Sequence, residues 1–113
     1  MTRPKVLEGK TAKLKVGCGS LFLTLNLKDG QPFEIFLSGS KLGGCKSNQE
    51  GLGRLITLLF RKGATIDEIK DTLELIKCPA CSAAKAKLEP EEKKDFPTSC
   101  PDAVAKFLDL ISK

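Results

Sequence analysis

A chain of 113 residues with a formal charge of +5 has the length of one domain with one modest core. Its five cysteines stand in a chain without histidine, which excludes Ser–His and Cys–His nucleophile pairs. No apolar run approaches the roughly 20 residues that span a bilayer, and the N-terminus lacks the apolar segment of a secretory signal. These features place the protein in the cytoplasm, away from membranes, where thiols serve metals or redox chemistry rather than disulfides.

Residues 1–10 are polar, contain Pro4 and Gly9, and show no periodicity that would bury them, so they read as a flexible arm. From Thr11 to Val16 apolar and polar residues alternate as in a strand. Gly17 to Ser20 turns the chain into a second strand, Leu21 to Leu27, and Lys28 to Gln31 turns it again into a third, Phe33 to Leu37. The inner face of this meander would carry Leu14, Leu23, Leu25 and Ile35, with Thr24, Asn26, Glu34, Phe22 and Phe36 outward or half covered.

After the glycine-rich Ser38 to Gly44 connection, Cys45 opens a helix that runs to about Lys62, with Gly63 just past its end. Its expected buried stripe is Leu52, Leu55, Ile56, Leu59 and Phe60. Thr65 and Glu68 match a capping box, and Ile69, Leu73 and Ile76 continue a helix to about Lys77. Cys78 to Cys81 ends it. Residues 85–95, rich in charge and broken by Pro90, read as a mobile loop. Ser99 or Thr98 caps a last helix with Pro101 near its first position and Val104, Phe107, Leu108 and Ile111 on its buried side. The expectation is one α+β domain over 11–113, a three-stranded antiparallel meander followed by about three helices packed on one face and stapled by a cysteine metal site.

Cys78-Pro79-Ala80-Cys81 fits either a metal knuckle or a thiol redox pair. A redox pair belongs at the start of a helix that follows a strand, whereas Cys78 follows a helix. Cys18 stands between glycines at a turn, and Cys45 and Cys100 stand at helix starts, all places where a backbone can bring sulfur to a cation. The candidate ligands are therefore Cys18, Cys45, Cys78, Cys81 and Cys100, with one of the five spare at a four-coordinate site. Zinc suits such thiolates and stands ahead of an iron–sulfur cluster. Gly39 to Ser47 approaches a phosphate-binding loop, but Cys45 occupies the lysine position. Asp102 reads as a cap-region charge. Lysines alternate with carboxylates along the chain, which argues against nucleic acid, although Phe22 and Phe36 are placed to stack bases from a sheet face.

Val16-Gly17-Cys18-Gly19 with Leu21 to Leu25, Gly43-Gly44-Cys45, the run Leu52 to Ile56 and, above all, Thr98-Ser99-Cys100-Pro101-Asp102 resemble the TSCPD domain family. Its members are similar to the C-terminal region of adenosylcobalamin-dependent ribonucleotide reductases, and others are short stand-alone proteins. The resemblance places the family's cysteines on Cys18, Cys45, Cys78 and Cys100. Cys81 departs from the reductase-attached pattern and leaves the fourth ligand open between it, Cys18 and Cys45. The implied function is a stand-alone zinc-binding accessory or interaction module whose partner is a ribonucleotide reductase or another protein. It is not catalytic by itself, since 113 residues cannot hold the radical-generating barrel. The alternative is a thiol redox protein using Cys78 and Cys81.

Overall fold

The computed structural model describes residues 3–17, 19–39 and 44–112. Strands β1 (Glu8–Val16), β2 (Gly19–Lys28) and β3 (Gln31–Gly39) form an antiparallel sheet in the order β1-β2-β3. Asp29 and Gly30 have φ of 53° and 79°, as the two-residue turn of a tight hairpin requires. β1 starts inside the segment read as an arm, because Glu8 and Gly9 pair with Leu27 and Asn26. Further out, the Arg3 guanidinium lies 2.7 Å from the buried Glu34 carboxylate. The β2–β3 register slips between Asn26 and Leu27, a bulge of the kind that tightens sheet twist.

Among the described residues five helices follow: α1 (Gly44–Arg61), α2 (Ile66–Leu73), α3 (Pro79–Ala86), the single turn α4 (Pro90–Lys93) and α5 (Cys100–Ile111). α5 is the main cover of the sheet. Val104, Phe107 and Leu108 pack with Leu21, Leu23, Leu25 and Ile35 in one buried cluster, joined by Ile69 and Leu73 of α2. The α+β order, strands first and helices after, is as the change of periodicity implies. No described helix is long and apolar enough to cross a membrane.

α1 takes a different position from the one its apolar stripe suggests. It leans on the free edge of β3, where the Thr57 hydroxyl accepts the Ile35 N–H at 3.0 Å and donates to the Ile35 carbonyl at 3.2 Å. Gly53 faces the strand here, and an added Cβ would make only ordinary van der Waals contact, 3.4 Å from the Ile35 carbonyl oxygen. A helix on an edge buries a narrower stripe than one lying flat: Ile56 and Phe60 are buried, whereas Leu55 and Leu59 remain 62% and 46% exposed. The helix thereby blocks an edge that would otherwise be open to pairing.

α2 begins with the expected capping box, Thr65 accepting the Glu68 N–H and Glu68 accepting the Thr65 N–H. It ends at Leu73 rather than near Lys77, because Leu75 turns left-handed at φ 64°. The chain then opens α3, which the sequence reading did not place. Cys78 is its N-cap and Pro79 stands in its first turn. α3 also reaches into the 85–95 stretch, and α4 lies within it.

Candidate thiol site

The pentapeptide at the start of α5 organises the site. The Ser99 hydroxyl caps α5 by accepting the Asp102 N–H at 3.0 Å. Asp102 turns back: one carboxylate oxygen accepts the Leu75 N–H at 2.8 Å and the other the Thr98 N–H at 2.9 Å. The Thr98 hydroxyl donates to the Ile76 carbonyl at 2.8 Å, and the Thr98 carbonyl accepts the Cys78 N–H at 2.7 Å. Thr98, Ser99 and Asp102 thus clamp residues 75–78 against α5, bringing Cys78 beside Cys100. Asp102 is fully buried. Burial alone would raise its pKa, but the two backbone N–H donors and Lys106, at 3.5 Å, outweigh it and hold the carboxyl below its ordinary value.

Cys45, Cys78 and Cys100 line one cavity of about 530 Å³, with Leu52, Leu55 and Ile76 at its apolar rim. Cys45 reaches it from the first turn of α1, Cys78 from the cap of α3 and Cys100 from the first turn of α5. The Cys78 thiol is shifted below its usual pKa, chiefly by the Cys81 backbone N–H, against the opposing effect of burial, and further by the Ala80 N–H and the Cys81 side chain. These donors are the unpaired N–H groups of a helix start, which favour a thiolate. The Cys100 sulfur accepts the Gln49 amide N–H at 3.4 Å. Gln49 is buried, and its amide oxygen has no partner among the described residues.

Cys81 is fully buried and accepts the Gly17 N–H at 3.1 Å. Gly17 packs directly on the Ala80 carbonyl and the Cys81 nitrogen, where a Cβ would collide. The hairpin before β2 is thereby fixed to the Cys78–Cys81 turn. Cys18 itself, and residues 40–43 of the Gly39 to Ser47 stretch, lie outside the described residues. Among the described residues no three Cys, Asp or Glu side chains converge closely enough to hold a metal ion.

Two expectations change. Cys78 does not merely end a helix; it opens one, because Pro79 is pre-organised for a first helical position and the alanine-rich stretch behind it favours helix. That meets half of the sequence argument against a redox pair, since Cys78 stands at a helix start, but the preceding element is α2 and not a strand. Asp102 stands in the first turn of α5 as expected, but as the buried centre of the clamp. Gln49 was missed altogether, since a glutamine in the polar run Ser47 to Glu50 carries no burial signal.

A clamp of Thr98, Ser99 and Asp102 around a cysteine-lined cavity, on an α+β domain of three strands and following helices, defines a class of thiol-centred module. The TSCPD domain family matches residues 1–112, and the chain belongs to that family. No curated relative and no solved structure matches it.

Proposed function

We propose that this protein is a thiolate zinc module that acts as a non-catalytic accessory or interaction partner, in the cytoplasm, of a ribonucleotide reductase, the enzyme class with which its family is linked in general. The observation that carries this reading is that Cys45, Cys78 and Cys100 all line one cavity; an ion would have to draw them closer, since among the described residues they do not converge to metal-holding distance. The donor set suits the ion, because soft thiolates favour zinc and a neutral amide N–H on a ligand sulfur, as Gln49 supplies to Cys100, is the outer support such ligands use. Cys18 or Cys81 completes the set. Bound zinc would supply a structural staple; the chain's own residues fix the sulfurs, through the Asp102 clamp for Cys78 and Cys100 and through the start of α1 for Cys45. The exposed Leu55 and Ile76 at the rim offer a partner an apolar contact beside the thiols.

The Cys78–Cys81 geometry favours a second reading, a dithiol that cycles with a disulfide. A thiol with lowered pKa at a helix start and a second cysteine in the first turn is the arrangement of an attacking and a resolving thiol. Metal analysis of protein purified without chelator, combined with alkylation under native conditions, separates the two. About one zinc per chain and thiols that alkylate only after chelation support the module; metal-free protein with a readily reducible Cys78–Cys81 disulfide supports the dithiol. A brown, iron-containing protein would indicate a cluster instead.

A further inference from the structure

Among the described residues no helix lies on the outer face of the sheet: α5 packs on the inner face and α1 along the β3 edge. The strand register lines up Lys13, Phe22 and Ser38 in one cross-strand row and Thr11, Thr24 and Phe36 in the next. Phe22 and Phe36 are 40% and 54% exposed, and they stand one diagonal step apart on neighbouring strands, about 7–8 Å between backbones. Their neighbours Thr11, Thr24 and Ser38 are short, and both rings are partly open to solvent on this face. Small polar neighbours suit flat stacking ligands better than the apolar core of a protein interface.

Cations flank both rings. The Lys13 ammonium lies 5.8 Å from the centre of the Phe22 ring. Beside Phe36 a groove of about 940 Å³ runs between β3 and α1, lined by Lys46 and Arg54. Of the carboxylates at this groove, Glu34 is buried and paired with Arg3 and Arg61, and Glu50 faces Arg54 at 3.6 Å. Alternating charges in the chain argue against a nucleic-acid surface, but the fold sorts them, gathering lysine and arginine around two exposed aromatic rings.

We infer that this sheet face binds single-stranded nucleic acid, stacking two bases on Phe22 and Phe36 and holding phosphates with Lys13, Lys46 and Arg54. The inference is independent of the thiol cavity and of the metal reading.

Fluorescence anisotropy with labelled oligouridylate and oligothymidylate of about 12 nucleotides, within the usual site size, tests it. The wild type should bind both, with log affinity falling against log salt at a slope near −2 for three phosphate contacts, and a shallower slope in Lys46→Ala. Phe22→Ala and Phe36→Ala should each weaken binding roughly 5- to 150-fold, the range of a lost stacking contact, while circular dichroism remains native because both side chains are exposed. The chain has no tryptophan, so Phe36→Trp introduces a single reporter that should retain affinity and be quenched by oligonucleotide. Tighter binding of the RNA would name RNA as the ligand, and equal binding would name single strands in general. No binding at low salt overturns the inference, as does heparin binding equal to oligonucleotide binding with affinity unchanged in both phenylalanine variants.

Discussion

Asp102 carries more of this fold than its position at a helix start suggests. It is buried and charged, and the charge is held by two main-chain N–H groups, one from the segment after α2 and one from the segment before α5. Asp102→Ala leaves those donors buried and unpaired, so we expect a loss of about 3 kcal/mol in urea unfolding. The carboxyl is held below its ordinary value of 3.8. Its contribution is therefore complete above that pH and is lost as pH falls through the lower folded value. Stability profiles should show an acid decline below about pH 4 that is markedly shallower in Asp102→Asn. A decline of equal steepness in the variant would assign the acid sensitivity to Glu34, which Arg3, Asn26 and Arg61 likewise hold below the ordinary carboxyl value. Gly17 makes a second residue-scale claim. A side chain there meets the Ala80 carbonyl, so Gly17→Ala should cost about 1–3 kcal/mol by overpacking and disturb the reactivity of Cys81.

At the scale of elements, the meander was legible because the alternation of Leu21, Leu23 and Leu25 with Phe22 and Thr24 admits one inner face, and Asp29-Gly30 admits one turn. The caps at Thr65 and Ser99 were legible for the same local reason. α3 was not, since in Pro79 to Ala86 only Cys81 is buried and there is no apolar stripe to read. Nor was the edge position of α1, because Leu55 and Leu59 repeat at the spacing of a buried face, and periodicity does not report how wide a stripe the neighbouring edge can cover. Of the candidate site, the cysteines and the pentapeptide were visible as residue types; the clamp and Gln49 were not, since both arise from contacts between distant segments. α1 also provides a control for helix propensity. Gly51 lies in its interior with nothing within 4 Å of an added Cβ, so Gly51→Ala should stabilise the protein by about 0.5–1 kcal/mol. Destabilisation would mean that this exposed side of α1 is covered in solution.

For the whole molecule, the segments bearing Cys45, Cys78 and Cys100 belong to three different helices, and the apolar core reaches them only in part: Cys45 is exposed and Cys78 and Cys100 are half-buried. A small domain with one core is stable by only about 5–15 kcal/mol, and a structural zinc can contribute on the order of 10 kcal/mol in small peptide domains. An ion at this cavity would therefore hold α1, α3 and α5 together at the side that the core leaves open. Cys18→Ser and Cys81→Ser, compared for zinc content, should differ, with the completing ligand losing metal and the spare one keeping it. The most direct measurement is zinc stoichiometry and melting temperature in Cys100→Ser beside wild type with and without chelator. The account predicts about one zinc per wild-type chain, and a Cys100→Ser protein that lacks it and melts where chelated wild type melts. Full zinc content with native melting in Cys100→Ser would contradict the account.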